Sequence, residues 1–193
     1  MRRIGILGDI GSGKSYIARK FQYPVFNADL EVAELYKKNR IVFLKLKRAL
    51  PKYFNKFPIN KNDISSAILK NDKNLKKIID IVHFEVRKKM NIFLRKNKKK
   101  KFVILDIPLL LENKINKKKD ILIFVQSKKS KILKRLKKRK NFNKKLFNKF
   151  KKIQLPLDYK KKNSQYIIKN DFTNKTIKKY VRNILKEINI WKK

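Results

Sequence analysis

The chain has 193 residues, enough for one compact domain with a sizeable core. It contains no cysteine, which excludes disulfides and thiol chemistry, and its single histidine excludes a histidine-rich metal site. No apolar run approaches the roughly 20 residues of a membrane span, and the N-terminus has no signal-peptide pattern, so we expect no membrane partner and a cytoplasmic protein.

Basic residues far outnumber acidic ones: 46 Lys and 10 Arg against 14 acidic residues give a net charge of +42. Such a field attracts nucleic acids, anionic membranes or phosphorylated small molecules. The alternative is a chain-wide compositional drift in which Lys fills solvated positions, since the basic residues occur in every segment. No recognition-helix, zinc or RNA-binding-strand motif accompanies the charge, so no specific nucleic-acid partner is predicted.

The N-terminal half predicts two short strands, one helix and a long helical region. Ile4–Leu7 and Val25–Phe26 are short apolar runs bounded by Gly or polar turn residues, as expected of buried parallel strands. A helix is predicted over 14–21. From Leu30 to about Lys100 the apolar spacing is helical, with interruptions at two prolines.

The C-terminal half predicts three more strands: Phe102–Leu105, Ile121–Val125 and Tyr166–Ile168. Ser130–Lys152 is long, Lys-rich and weakly amphipathic, and Thr176–Ile188 predicts a last helix. Strands that alternate with helices predict an α/β fold with a parallel sheet. Because we find neither an internal repeat nor a linker, we predict a single domain over 1–193.

The strongest motif is Gly8–Ser15, which matches the G-x-x-x-x-G-K-[ST] phosphate loop between a predicted strand and helix. All four glycines of the chain lie within its first thirteen residues, where backbone N–H groups must approach phosphate closely. Lys14 is expected to bridge the β- and γ-phosphates and Ser15 to ligate Mg²⁺. Asp9 is discordant beside an anion site, and we expect its side chain to point to solvent.

Six segments together resemble the dephospho-CoA kinase family, over about residues 3 to 187. The Pro-Leu-Leu-x-Glu element after the third strand is the most discriminating of them. The segments are Gly8–Ser15, Asn27–Asp29, Asp106–Asn113, Leu133–Arg139, Gln154–Asp158 and Tyr166–Asn170.

The resemblance implies a three-layer P-loop kinase fold with a five-stranded parallel sheet. Its core would comprise about 1–28, 101–130 and 163–193, its helical acceptor-binding region about 29–100, and its lid about 131–162. It also implies that ATP, with Mg²⁺, phosphorylates the ribose 3′-hydroxyl of dephospho-CoA to give CoA and ADP, the last step of coenzyme A biosynthesis. We expect a monomer or a weak homo-oligomer.

The resemblance also implies roles for individual residues. Asp29 is expected at the end of the second strand, near the acceptor hydroxyl, as a base or an orienting group. Asp106 ends the third strand and either holds Mg²⁺ through water or caps the following turn. Arg135 and Arg139 are expected on one helix face, where they either reach ATP phosphates or belong to a solvated basic helix; scarce Arg among abundant Lys favours a functional Arg139. Expected at the nucleotide are Gly8, Gly11, Ser12, Gly13, Lys14, Ser15, Tyr16 and Arg135; expected in catalysis are Asp29, Lys14 and Arg139; expected at the metal are Ser15 and Asp106.

The chain departs from the family pattern at several positions. Asn27 replaces the first carboxylate of the usual Asp-Ala-Asp, and Asp9 and Tyr16 stand where Gly and Thr are common. His83 is followed by Phe84 instead of Pro, which favours a structural or acceptor-site histidine. Two alternatives remain open at this point: another P-loop kinase of a nucleoside monophosphate or other alcohol, and a basic nucleic-acid-binding protein.

Overall fold

The computed structural model describes residues 1–139 and 142–190. The chain forms two compact units. The first comprises Met1–Asn27, Asn97–Phe142 and the chain from Ile153 onwards; the second comprises Ala28–Lys96 and Asn143–Lys152.

The first unit is built on a five-stranded sheet in which every neighbouring pair of strands is parallel. The strand order is β2-β3-β1-β4-β5. This confirms the predicted α/β class and the five parallel strands. The strands are β1 (Arg2–Gly8), β2 (Val25–Asn27), β3 (Phe102–Asp106), β4 (Ile121–Gln126) and β5 (Tyr166–Lys169).

The helices described in the first unit are α1 (Lys14–Lys20), α6 (Lys129–Lys137), α8 (Leu157–Lys162) and α9 (Asn174–Ile190). Successive strand residues face opposite sides of the sheet. Ile4 and Ile6 of β1 pack in one buried cluster with residues of α1 and α9. Gly5 faces the other side, where a Cβ would lie 2.6 Å from the Leu110 side chain, and α8 also contacts β1. The strand that leads into the phosphate loop is therefore packed on both faces.

The second unit is helical, as predicted for 30–100. Its helices are α2 (Ala28–Lys38), α3 (Arg40–Ala49), α4 (Lys61–Lys70), α5 (Asp72–Lys96) and α7 (Lys144–Lys152). The apolar positions that recur along α5, including Ile78, Val82, Val86 and Met90, are buried, which confirms the predicted amphipathic pattern. Within residues 1–139 and 142–190, no helix combines the length and apolar character that a membrane span requires.

The described part of the segment Ser130–Lys152 contains two helices, and they belong to different units. α6 ends at Lys137, one residue after Leu136, which is buried. α7 begins where the Asn143 side chain accepts the N–H of Leu146. Lys140 and Asn141, which the sequence pattern included in this segment, lie outside the described residues.

Candidate active site

The loop between β1 and α1 follows a path that requires glycine. Gly8 has φ 144°, and a Cβ there would lie 2.7 Å from the carbonyl oxygen of Val125. Gly13 has φ 94°, in the region that other residues rarely adopt. The first α1 hydrogen bond runs from Ile17 N–H to the Gly13 carbonyl. The loop thus leads directly into α1. The N–H groups of the first turn have no partner within the helix and point from its amino end.

The Lys14 side chain is folded into this loop. The residue is 9% exposed, and its Nζ donates to the carbonyls of Gly8 at 3.1 Å and Asp9 at 2.7 Å. These two bonds hold the ammonium group beside the backbone that would surround a phosphate. A partly desolvated ammonium at this place attracts an anion much more strongly than one in water.

The prediction that the Asp9 side chain points to solvent is wrong. Asp9 is buried, with 7% exposed, and its Oδ1 accepts the N–H of Ile10 at 2.8 Å. Asp side chains commonly bond to neighbouring backbone in this way, and that local bond keeps the carboxylate against its own loop. A negative charge therefore lies within the phosphate loop.

The residues after Lys14 occupy the first turn of α1. Ser15 is half-buried, and Tyr16 is exposed. The Tyr16 hydroxyl donates to Asn174 Oδ1 at 3.1 Å. The Tyr16 side chain therefore contacts the first residue of α9.

Ser12 is completely buried at the centre of the loop. Its carbonyl accepts two bonds, from Asn170 Nδ2 at 2.7 Å and from Ser127 Oγ at 3.1 Å. Its own hydroxyl has no hydrogen-bond partner among the described residues. An unpaired buried hydroxyl costs about 1–3 kcal/mol, so a ligand oxygen within reach of the loop would be favoured.

Asp106 and Asn27 face each other at the carboxyl edge of the sheet. They are register partners on β3 and β2, and Asn27 Nδ2 donates to Asp106 Oδ2 at 2.5 Å. Asp106 is only 2% exposed. The uncharged amide of Asn27 does not neutralise the Asp106 carboxylate, but its hydrogen bond orients that carboxylate. A second carboxylate at position 27 would have repelled it. Sequence reasoning did not foresee this pair.

The two expected metal ligands, Asp106 at this edge and Ser15 in the first turn of α1, have donor chemistry that suits Mg²⁺. The described residues contain no group of three or more His, Cys, Asp or Glu side chains that could hold a metal ion. Mg²⁺ usually takes one or two protein oxygens and completes its shell with waters and substrate phosphates. The Asp106 carboxylate and the Ser15 hydroxyl are oxygen donors of that kind.

Asp29 does not end a strand, contrary to the prediction. β2 ends at Asn27, and Asp29 is the second residue of α2, exposed in its first turn. An acidic residue is favourable there because the amino end of a helix carries partial positive charge. Asn27 and Asp29 therefore do not share an extended segment, and they belong to different units.

The two predicted lid arginines do not share a helix face. Arg135 lies on α6, with its guanidinium 4.6 Å from the centre of the Phe172 ring. Arg139 follows the end of α6, in a turn where its N–H donates to the Leu136 carbonyl. Both arginines are exposed.

The buried face of α6 packs on the phosphate loop. A Cβ added to Gly11 would lie 3.0 Å from side-chain carbons of Ile132 and of Leu136. The helix that carries Arg135 therefore packs directly against the loop that carries Lys14.

Glu112, the acid of the Pro-Leu-Leu-x-Glu element, forms a buried ion pair with Lys160 of α8. The two charged atoms are 2.7 Å apart, and the side chains are 9% and 1% exposed. Glu112 Oε1 also accepts the N–H of Leu155 at 3.0 Å. Sequence reasoning missed Lys160, because nothing in composition or spacing separates one buried lysine from 45 others.

His83 and Phe84 both lie within the uninterrupted helix α5. A proline at position 84 would kink or break this helix, whereas Phe84 allows it to continue. Burial lowers the pKa of His83 below its ordinary 6.5, Arg87 adds to this effect, and Asp80 opposes it. Phe84 is 54% exposed. The ammonium groups of Lys45 and Lys88 lie 5.1 Å and 4.3 Å from the centre of its ring, within the range of cation–π interactions.

Comparisons with known proteins agree with this geometry. The chain is 31% identical over 192 residues to a dephospho-CoA kinase of Wolbachia pipientis wMel, covering 97% of this chain and 98% of the relative. Two solved structures share the fold across 97% of both chains: TT1252 of Thermus thermophilus, with a TM-score of 0.76 and 23% identity, and a dephospho-CoA kinase of Campylobacter jejuni, with a TM-score of 0.64 and 18% identity. The family model for dephospho-CoA kinase matches residues 2–176, and the chain belongs to the dephospho-CoA kinase family.

Proposed function

We propose that this kinase transfers the γ-phosphoryl group of ATP to the ribose 3′-hydroxyl of dephospho-CoA, giving CoA and ADP. The carrying observation is the loop from Gly8 to Ser15 between β1 and α1, within a chain whose family match spans residues 2–176. A bond forms between the ribose oxygen and the γ-phosphorus. The bond from that phosphorus to the β,γ-bridging oxygen breaks, and the hydroxyl proton leaves to a base.

Lys14 supplies positive charge where the transition state needs it. Its ammonium is held by the carbonyls of Gly8 and Asp9 and exchanges them for the β- and γ-phosphate oxygens when ATP binds. Phosphoryl transfer depends mainly on positioning and on charge stabilisation, and a buried ammonium provides both. The strong positive charge of the chain adds attraction for two anionic substrates.

Ser15 and Asp106 would hold Mg²⁺, Ser15 through its hydroxyl and Asp106 through a water. When bound, the ion neutralises phosphate charge and helps to align the γ-phosphoryl group. Asn27 contributes by donating to one oxygen of Asp106, which fixes the direction of the carboxylate. This arrangement makes Asn27 a workable substitute for the acid that is usual in the family.

The second unit supplies the acceptor-binding region, about 29–100, and the segment of about 131–162 acts as the lid. Arg139 is the residue we assign to the phosphates on lid closure, and Arg135 to the nucleotide. Both guanidinium groups are exposed and therefore accessible to ligand. Arg is suited to this task because its planar fork binds two phosphate oxygens at once.

Asp29 is the proposed base or orienting group for the ribose hydroxyl. Replacing it by Asn keeps the shape and removes the charge. We expect Asp29→Asn to lower the rate of single-turnover transfer by roughly 10²- to 10⁴-fold. The loss should be nearer the lower end, because a loose transition state gains little from a general base. ATP affinity, measured by calorimetry, should stay close to the parent value. A loss below threefold would refute the role.

A coupled assay of ADP release tests the proposed acceptor. The purified protein receives ATP and Mg²⁺ with dephospho-CoA, AMP, CMP or RNA as separate additions. Dephospho-CoA should stimulate ADP release far more than the others. Equal stimulation by a nucleoside monophosphate would favour a different P-loop kinase, and stimulation by RNA alone would favour the nucleic-acid alternative.

A further inference from the structure

We propose that Asn170 is a positioning residue of the phosphate loop. By holding the carbonyl of Ser12, it directs the N–H of Gly13 toward the phosphates of the nucleotide. The inference rests on the proposed function, because it assumes that the loop binds ATP.

Both ends of the Asn170 side-chain amide are engaged, and the residue is only 4% exposed. Its Nδ2 donates to the Ser12 carbonyl at 2.7 Å, and its Oδ1 accepts the N–H of Phe172 at 2.8 Å. Its backbone N–H donates to the Gln126 carbonyl at 2.7 Å, which places the residue directly after β5. Since donor and acceptor are both assigned, the amide has one orientation that satisfies its surroundings.

The geometry of a peptide bond converts this contact into control of the loop. In a trans peptide the C=O of one residue and the N–H of the next lie in one plane and point in opposite directions. Fixing the Ser12 carbonyl therefore fixes the Gly13 N–H on the other side. A hydrogen bond to the carbonyl also polarises the peptide, which makes that N–H a better donor to an anion.

Two neighbouring strands contribute to this anchor. Ser127, just after β4, gives the Ser12 carbonyl its second donor at 3.1 Å. Asn170 is also packed against the loop itself, since a Cβ on Gly13 would lie 2.6 Å from its Nδ2. The peptide is therefore held by hydrogen bonds and by close contact before any nucleotide arrives, and this saves the cost of ordering it on binding.

The test compares Asn170→Ala with Asn74→Ala. Asn74 is a matched control because it is also buried, at 8% exposed, and its Nδ2 also donates to a backbone carbonyl, that of Ala67 at 3.0 Å. ADP binding is measured by calorimetry for the parent and both variants, and thermal unfolding is measured in parallel. We expect roughly 5- to 30-fold weaker ADP binding for Asn170→Ala, and unchanged binding for Asn74→Ala at a similar loss of thermal stability.

Steady-state kinetics provide a second readout, which would not change if Asn170 only supported the fold. Because the Gly13 N–H contacts phosphate in both the ground state and the transition state, Asn170→Ala should raise KM for ATP and leave kcat nearly unchanged. Ser127→Ala removes the weaker donor to the same carbonyl and should weaken ADP binding roughly two- to tenfold. If Asn170→Ala does not fold, the ADP affinity of Ser127→Ala tests the positioning role in its place.

The outcomes separate the two hypotheses. A parent protein that fails to bind ADP would overturn the proposed function, whatever the variants do. A parent that binds ADP, with Asn170→Ala binding equally well, would overturn the positioning role and leave the function standing. Equal weakening by Asn74→Ala would also overturn it, because the effect would then be general destabilisation.

Discussion

Replacing Lys160 by Met should destabilise the protein severely, although Lys is its commonest charged residue. The Lys160 ammonium is 2.7 Å from Glu112 Oε1, and the side chains are 1% and 9% exposed. Removing one partner of a buried ion pair typically costs about 3–5 kcal/mol, because the other charge stays buried. Here Glu112 would keep the bond from Leu155 N–H, while Oε2 has no hydrogen-bond partner among the described residues.

The expected loss can be measured by denaturant and thermal unfolding. For a chain of this size, about 3–5 kcal/mol corresponds to a fall in Tm of roughly 6–20 °C. Lys161→Met is the matched control, since Lys161 is the next residue of the same helix and is exposed; its free energy of unfolding should change by less than about 0.5 kcal/mol.

A double variant separates the ion pair from simple packing. Glu112→Leu combined with Lys160→Met removes both charges, and it should recover most of the stability that Lys160→Met loses. If Lys160→Met instead cost no more than Lys161→Met, the buried pair would not be a real feature of the folded protein. If the double variant were the least stable of all, side-chain packing rather than charge would explain the loss.

Three further predictions concern single side chains. Lys14→Ala should lower kcat by roughly 10²- to 10³-fold in the coupled assay without loss of folding, and an unchanged rate would remove the phosphate-loop role. Arg139→Lys should lower transfer although it conserves charge, whereas Lys137→Gln should matter little. Equal activity of Arg139→Lys and the parent would refute the role of Arg139 at the phosphates. Burial lowers the pKa of His83, so the unfolded chain binds more protons and stability should fall as the pH drops below about 6.5. His83→Gln should make the Tm less dependent on pH between about 7 and 5, and an identical slope would contradict this.

The local features of the fold could be predicted from sequence. Short apolar runs such as Phe102–Leu105 proved to be strands, because a strand buried on both faces leaves an uninterrupted apolar signature. The phosphate loop was also predictable, since Gly8 and Gly13 adopt backbone conformations that other residues avoid. Such patterns depend on neighbours along the chain, which the sequence displays directly.

What could not be predicted depends on partners distant in sequence or on where an element stops. Asn170 and Ser12 are 158 positions apart, and only the strand order brings them together. The burial of Lys160 depends in the same way on Glu112. Asp29 was misplaced because the chain becomes helical at Ala28, two residues before Leu30, where the helical pattern was predicted to begin.

The central claim is that this chain phosphorylates the ribose of dephospho-CoA, and identification of the product tests it most directly. The purified protein is incubated with ATP, Mg²⁺ and dephospho-CoA, and the products are followed by phosphorus NMR and mass spectrometry. We predict one new phosphate monoester on the ribose 3′-oxygen for each ADP formed, and its loss in Lys14→Ala. ADP formation without that monoester, or a phosphate at any other position, would contradict the account.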